Sequence, residues 1–98
     1  MPDTSWKRWE RDVANTLGGT RTGPQGEGLP DVLLHDLAPE CKLQGKLRLR
    51  SRDLEQAQRN APEGKHWALL LKERNTGRKL AIVDYTYFVD LYLRSQVV

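Results

Sequence analysis

The segment LPDVLLHDLAPECKLQGK, residues 29–46, carries the pattern on which the fold and chemistry of this 98-residue chain depend. It is largely apolar, and yet Asp31, Glu40 and Lys42 interrupt it. Charged side chains near the centre of a small sheet cost free energy unless other groups compensate them. The pattern therefore indicates that these three charges belong to a functional site.

The same segment predicts two short strands, at residues 31–36 and 40–44. Residues 37–39 between them are short enough for a hairpin, and Pro39 suits the start of the second strand rather than its centre. Successive side chains of a strand point to opposite faces. The glutamate and the lysine of the second strand therefore share one face, with the cysteine between them on the other.

A glutamate on an otherwise apolar helix face is a second anomaly. Residues 4–17 predict a helix that Thr4 or Ser5 caps and that the following glycine pair ends. Its apolar face consists of Trp6, Trp9, Val13, Ala14 and Leu17. Glu10 falls within that face, where a carboxylate needs a partner to offset its desolvation.

The remaining elements predict an α/β fold with a small mixed β-sheet flanked by helices. The glycine-rich stretch 20–30 predicts a loop, and KLRLR (46–50) alternates basic and apolar residues as an extension of the preceding strand. Next come a helix at 51–60 capped by Ser51, strands at 66–73 and 79–84, and a last helix capped by Thr86. A helix between strands favours a crossover connection and therefore a mixed sheet.

The composition is that of one ordinary soluble domain spanning residues 1–98. Hydrophobic residues make up 38% of the chain and charged residues 30%. No apolar run reaches the about 18–20 residues that cross a bilayer, and the N-terminus lacks the apolar segment of a signal peptide. A lone cysteine, Cys41, cannot form an internal disulfide. These features predict a cytoplasmic protein with no membrane partner.

Positive charge is concentrated directly after the acidic residues, although the net charge is only +3. Five basic residues fall within eleven positions: Lys42, Lys46, Arg48, Arg50 and Arg52. Such a stripe is typical of proteins that bind a polyanion such as nucleic acid, and the alternative is an ordinary solvated strand. Phosphate contacts of this kind give salt-dependent affinity and carry no sequence information.

The charged residues fit the chemistry of metal-assisted phosphodiester hydrolysis. Mg²⁺ binds one or two carboxylates together with waters and phosphate oxygens. Asp31 and Glu40, on neighbouring strands, can reach a common ion, and the backbone carbonyl of Cys41 can complete the site. Glu10 can approach from the helix, directly or through water. Lys42 can then orient or deprotonate an attacking water and offset charge on the phosphate.

Pro30 and Asp31, followed by Glu40, Cys41 and Lys42, resemble the motif of the PD-(D/E)xK nuclease superfamily, with a short Asp-to-Glu spacing. A glutamate on an upstream helix, a glycine-rich loop before the aspartate and an amphipathic helix after the ExK strand match its restriction-endonuclease-like core. Within the superfamily the chain is most similar to the archaeal-type Holliday junction resolvases. Its small size, the helix segment WERDVANTLGG and the basic loop TRTG carry that similarity.

The resemblance implies a homodimer that cuts branched DNA at four-way junctions with paired symmetric nicks. It implies Mg²⁺ as the cofactor, with Mn²⁺ as a substitute. The implied catalytic residues are Glu10, Asp31, Glu40 and Lys42. Arg21 is the implied phosphate or junction contact, beside the basic stripe, and Gln44 and Gln56 (or Gln58) are implied as polar neighbours of the site. A stand-alone nuclease of this size suits a phage or prokaryotic genome.

The last predicted helix is apolar on more than one side. Its large apolar residues are Tyr85, Tyr87, Phe88, Leu91, Tyr92 and Leu93. One small sheet cannot cover all of them, so this helix is predicted to contribute to a homodimer interface. The alternative is a helix that its own sheet covers fully.

The sequence leaves three other functions open. One is a nuclease of the same superfamily that acts on a flap, a fork or a duplex sequence. Another is a DNA-binding module without catalysis, against which the intact acidic set argues. The third is a protein-interaction domain, for which the sequence offers no peptide motif.

Overall fold

The computed structural model describes residues 5–23 and 28–96. The elements in chain order are α1 (Ser5–Leu17), β1 (Thr20–Arg21), β2 (Val32–Leu33), β3 (Leu37–Gln44), α2 (Ser51–Asn60), β4 (His66–Glu73), β5 (Lys79–Val83) and α3 (Tyr85–Ser95). No helix in the described ranges is both long and apolar enough to cross a membrane. Thr4, one of the two predicted caps of α1, lies outside these ranges.

The central sheet has the strand order β3-β4-β5. β3 and β4 run parallel, with Glu40 opposite Leu69, and α2 lies between them in the chain. β5 returns antiparallel to β4, with Ile82 also opposite Leu69. The fold is therefore mixed α/β, a small mixed sheet flanked by helices, and it confirms the predicted crossover. β3 lies at the edge of this sheet.

The predicted hairpin at residues 37–39 is wrong, because these residues belong to β3 itself. The segment before them contributes only Val32 and Leu33 to a strand, and that strand pairs antiparallel with β1. The stretch 20–30, predicted as a loop, thus begins with a short strand. Residues 24–27 of that stretch lie outside the described ranges.

Pro39 is tolerated inside β3 because its nitrogen faces away from β4. The Pro39 carbonyl accepts a hydrogen bond from the Asp31 amide at 2.9 Å, so the backbone groups of Pro39 point to the outer edge of the strand. The backbone carbonyl of Gln44 points to the opposite side of β3 and accepts from the Arg74 amide at 2.8 Å. Proline lacks only an N–H at that outer edge, so the sheet loses no hydrogen bond between β3 and β4.

Apolar side chains cover both faces of the sheet. The core on the α1 face consists of Trp9, Val13, Ala14, Val32 and Cys41, with Leu34, Leu43 and Leu70 beside it. The core on the α2 face consists of Ala57, Leu69 and Leu71, with Leu47, Trp67 and Ile82 beside it. The alternation along β3 therefore directs its cysteine towards α1 and its glutamate and lysine towards α2.

A glycine pair ends α1, as predicted, and brings it against β2. Gly18 adopts the left-handed conformation, with φ of 76°, and Gly19 donates to the Ala14 carbonyl at 2.8 Å. A Cβ atom on Gly19 would lie only 2.6 Å from the carbonyl oxygen of Leu33. Only glycine permits this approach, and it places β1, which carries Arg21, alongside α1.

Two predicted helix caps are wrong. Asp84, not Thr86, caps α3, because its carboxylate accepts from the Tyr87 amide at 3.3 Å. Arg50 occupies the N-cap position of α2 without a side-chain cap bond, and Ser51 is already helical. Aspartate caps a helix as well as threonine does, so the residue at which the backbone enters the helix determines which side chain caps it.

Residues 46–50 form no strand, contrary to their alternating pattern. Leu47 packs against the core on the α2 face, and its amide donates to Glu73 Oε2 at 3.1 Å. Leu49, the other apolar residue of the pattern, is 55% exposed. The segment is therefore a loop that one apolar side chain anchors.

α3 lies at the periphery of the fold, and none of its described side chains is buried. Phe88, Tyr92 and Leu93 are all more than half exposed. Tyr87 stacks on His66 of β4, with ring centroids 4.1 Å apart. The helix is thus attached to the sheet while a broad apolar surface stays uncovered.

Candidate active site at the edge of the sheet

The carboxyl groups of Asp31 and Glu40 meet at the edge of β3. Asp31 Oδ2 accepts a hydrogen bond from the Cys41 amide at 2.7 Å, which holds Asp31 beside the residue that follows Glu40. The two carboxyl groups lie close enough to hydrogen-bond to each other. Asp31 thus lies beside Glu40 because its segment hydrogen-bonds directly to β3, and not because a hairpin joins the two residues as the sequence predicts.

Burial and the neighbouring Asp31 charge raise the pKa of Glu40 to about 7. Burial also raises the pKa of Asp31, although the hydrogen bond from the Cys41 amide opposes that shift. Two carboxyl groups within hydrogen-bonding distance of each other do not both ionise without a compensating charge. The pair therefore favours either a shared proton or a bound cation at neutral pH.

Lys42 is the positive neighbour that these acidic groups share. Its charge favours the ionised forms of Glu10, Asp31 and Glu40 and so lowers the pKa of each. Lys42 Nζ donates to Gln56 Oε1 on α2 at 2.8 Å. The helix after the ExK strand therefore orients the ammonium group, in agreement with the position predicted for Gln56.

Glu10 is buried on α1, as its place on the apolar helix face predicts, and is 7% exposed. Arg21 Nε donates to Glu10 Oε1 at 2.7 Å, and the guanidinium group also lies 5.8 Å from the Trp6 ring centre. Burial raises the pKa of Glu10, and the Arg21 hydrogen bond opposes that shift. Arg21, predicted as a phosphate contact, thus has an acidic partner within the chain.

Asn60 also contacts the site, which the sequence did not predict. Its Nδ2 donates to Glu40 Oε1 at 3.4 Å, and this bond lowers the pKa of Glu40. Gln56 and Asn60 are four residues apart on α2, so they lie on one helix face. That spacing is the only sequence signal for Asn60, and it becomes informative once α2 is known to cover β3. Gln58, the alternative to Gln56, is exposed.

Gln44 lies on the same strand face as the ExK residues but contacts the basic loop instead of the carboxyl groups. Its Nε2 donates to the Arg48 carbonyl and its Oε1 accepts from the Arg48 amide, both at 2.9 Å. The side chain therefore fixes the backbone of the loop that follows β3. The side-chain hydrogen bonds of Gln44, predicted as a polar neighbour of the acidic residues, thus go to the Arg48 backbone.

Cys41 contributes its backbone rather than its thiol. Burial, with the surrounding carboxylates, raises the pKa of the thiol, which therefore stays protonated and unreactive. The Cys41 amide is bonded to Asp31, and in a strand the carbonyl of the same residue points to the same edge. The predicted carbonyl ligand thus faces the side on which the acidic pair lies.

The charge of the cluster favours a cation. Three carboxyl groups, on Glu10, Asp31 and Glu40, interact with two cationic side chains, Arg21 and Lys42. Within residues 5–23 and 28–96, no three His, Cys, Asp or Glu side chains form a group that could hold a metal ion. Mg²⁺ commonly takes one or two protein carboxylates and completes its shell with water and phosphate oxygens. The acidic pair fits that kind of site.

Comparison with protein-family models, with curated proteins and with solved structures finds no match for this chain. Its function is therefore inferred from the residues at the edge of β3 and from the motif that they form.

Proposed function

We propose that this chain is a metal-dependent nuclease with a restriction-endonuclease-like core that resolves four-way DNA junctions by paired symmetric nicks. One observation carries the proposal. Asp31 and Glu40, from separate segments, bring their carboxyl groups together, and the ammonium group of Lys42 lies within electrostatic range of both. This is the arrangement that phosphodiester hydrolysis with one activated water needs.

Asp31 and Glu40 are the residues that would hold Mg²⁺ or Mn²⁺, with the Cys41 carbonyl as a further ligand. When bound, the ion polarises the phosphodiester and lowers the pKa of a coordinated water. The raised pKa of Glu40, about 7, supports this assignment. A cation would favour the ionised forms that burial and mutual repulsion disfavour.

The other residues orient groups and adjust charge. Lys42 donates to the attacking water or to the phosphate oxygens that gain negative charge in the transition state. Gln56 keeps the ammonium group at the site through the 2.8 Å bond between them. Glu10, held by Arg21, places negative charge beside Asp31. It would approach the bound ion directly or through water.

A homodimer is part of the proposal, because symmetric nicks require two sites related by a two-fold axis. The exposed apolar surface of α3 supports it. Beside α3 lies an apolar cleft of about 440 Å³, to which Trp9, Leu80 and Leu91 contribute. A second copy of the chain that covers this surface would remove a large apolar patch from water.

Cleavage of a fixed four-way junction in Mg²⁺ tests the proposal, with a linear duplex of the same sequence as the control substrate. We expect nicks in two opposed strands of the junction and no cleavage of the duplex. Glu40→Gln and Lys42→Ala should each lower the rate at least about 100-fold. Glu55→Gln, which removes an exposed carboxylate from α2, is the matched control and should leave the rate unchanged.

The same experiment separates the alternatives. Equal rates on junction and duplex would replace the junction with another DNA substrate. Binding of the junction without any cleavage would reduce the chain to a DNA-binding module. Undiminished cleavage by Glu40→Gln would show that the assigned site is wrong.

A further inference from the structure

A basic cleft of about 600 Å³ opens beside the acidic cluster. This volume lies within the range of about 300–1,000 Å³ that is usual for ligand sites. Six basic residues line the cleft, Lys42, Lys46, Arg48, Arg50, Arg52 and Arg74, together with a single acidic residue, Asp53. Arg74 comes from the end of β4, more than twenty positions after the basic stripe, so the sequence pattern does not include it.

Gln44 fixes both sides of this basic cleft. Its side chain binds the amide and the carbonyl of Arg48, both at 2.9 Å. Its own carbonyl accepts from the Arg74 amide at 2.8 Å. The backbones of both arginines are therefore held by one residue, so little backbone ordering is needed when a ligand enters.

Glu73 also holds the loop 46–50, and it pairs with Arg78 and not with the neighbouring Arg74. Its carboxylate accepts from the Leu47 amide at 3.1 Å and pairs with Arg78 at 3.0 Å. The hydrogen bond from Arg78 is the main reason why the pKa of Glu73 falls to about 2. The carboxylate of the residue that precedes Arg74 is thus bonded to Arg78 and to the loop, while Arg74 lines the cleft and is exposed.

The positive charge of the lining suits the phosphate backbone of a nucleic acid. The described lining has a large excess of positive charge and no aromatic side chain on which a base could stack. A cleft lined by one sign of charge concentrates counter-ions of the other sign. Lys42 belongs both to this cleft and to the acidic cluster, so the cleft continues directly from the site of proposed cleavage.

We propose that the basic cleft holds the phosphates of the strand that continues from the scissile phosphate, with Arg74 as a contact. This inference rests on the proposed nuclease function, because Lys42 connects the two sites. It gives the substrate strand a path, along the loop 46–50 and past the end of β4. It also predicts binding that is independent of base sequence.

Binding of a fluorescein-labelled single-stranded oligonucleotide, measured by anisotropy in EDTA over a range of salt concentrations, tests the path. Arg74→Gln should weaken binding about three- to tenfold and reduce the slope of log K against log salt by about 0.7. Arg8→Gln removes the same charge from an exposed position of α1 outside the cleft and should change neither value. An Arg74→Gln slope equal to that of the original chain would overturn the proposal.

Two further measurements exclude trivial results. Arg74→Lys keeps the charge and should restore most of the slope, so a loss shared by both variants would point to a structural role and overturn the contact. Inorganic phosphate alone, followed through the amide resonances of the loop 46–50, should bind far more weakly than the oligonucleotide. Saturation by phosphate at the same concentration as the strand would make the cleft a free-anion site and overturn the strand path.

Cleavage assays in Mg²⁺ separate this proposal from the nuclease function. If the original chain binds the strand through Arg74 but cuts no DNA, the nuclease function fails, and the cleft remains a binding site for a nucleic-acid strand with no scissile phosphate. If it cuts junctions while Arg74→Gln binds like the original chain, the strand path alone fails.

Discussion

Asp31 is bonded to Cys41, whose amide donates to Asp31 Oδ2 at 2.7 Å, and this contact fixes a proposed metal ligand on the edge strand. A second bond, from the Asp31 amide to the Pro39 carbonyl at 2.9 Å, holds the backbone of the same residue. The orientation of the carboxyl group and the attachment of its segment to β3 therefore depend on neighbouring contacts.

Replacement of Asp31 should separate the structural contact from the chemistry. In Asp31→Asn the amide oxygen can still accept from the Cys41 amide, so we expect stability close to that of the original chain. Asp31→Ala leaves that amide unpaired and should cost about 1–3 kcal/mol. Urea denaturation without metal measures both, and neither variant should cleave DNA. An asparagine variant as unstable as the alanine variant would contradict the proposed contact.

The metal-free chain should lose stability as the pH rises from about 4.5 to about 7. The pKa of Glu40 is about 7 in the folded chain and 4.5 ordinarily, so across this window the folded state binds more protons than the unfolded state. We expect a fall of about 2 kcal/mol, after allowance for solvent screening, in urea denaturation at stepped pH.

Glu40→Gln should make this pH profile shallower, because glutamine has no proton to lose, while the raised pKa values of Asp31 and Glu10 keep a smaller slope. Mg²⁺ should offset the loss of stability in the original chain. Glu55→Gln, with its exposed carboxylate, should keep the original profile. A Glu40→Gln profile that runs parallel to that of the original chain would place the titration elsewhere.

Gln56 should act on the reaction through Lys42. Gln56→Ala removes the acceptor of the ammonium group, so kcat should fall about ten- to 100-fold with little change in KM, since a bond to a charged group contributes about 1.5–3 kcal/mol. Gln58→Ala, on an exposed face of the same helix, is the matched control for single-turnover cleavage assays. Equal effects of the two variants would show that Gln56 only supports the helix.

The ion pair of Arg21 and Glu10 should stabilise the fold through coupling rather than through either residue alone. Arg21→Ala leaves a buried carboxylate without its partner and should cost about 3 kcal/mol or more. Glu10→Gln in the same chain should recover most of that loss. A double-mutant cycle by urea denaturation measures the coupling, and additive effects of the two changes would rule it out.

The exposed face of α3 should determine the oligomeric state. Light scattering at micromolar concentration should give a dimer, and Phe88→Glu should give a monomer that no longer makes paired nicks. Gln96→Glu adds the same charge at the end of α3 and should leave the dimer intact. A monomeric original chain would remove the interface.

The sequence predicts which residues gather at the candidate site better than it predicts the contacts that bring them together. Strand alternation correctly directs Glu40 and Lys42 to one face, and the apolar arc of α1 correctly predicts a buried Glu10. The hairpin fails because Asp31 reaches β3 through backbone and side-chain bonds that no local turn signal encodes. Local patterns report faces and periods, whereas strand pairing depends on contacts distant in sequence.

Asn60 and Arg74 show the same limit. Each is an ordinary polar residue in its own segment, and only the parallel placement of β3 and β4, with α2 across them, brings the two into contact with Glu40 and Gln44. The basic stripe is visible in the sequence, but the prediction that residues 46–50 extend the strand is wrong, because Gln44 and Leu47 hold these residues as a loop.

The outer edge of β3 is closed to further strands at the site itself. Pro39 has no N–H, its carbonyl is occupied by Asp31, and the Cys41 amide is occupied by the Asp31 carboxylate. A strand from another molecule therefore meets no free donor at these positions, which is how natural sheets avoid aggregation through their edges. Asp31→Asn should therefore keep this edge closed, whereas Asp31→Ala should leave the Cys41 amide open to a strand from another molecule.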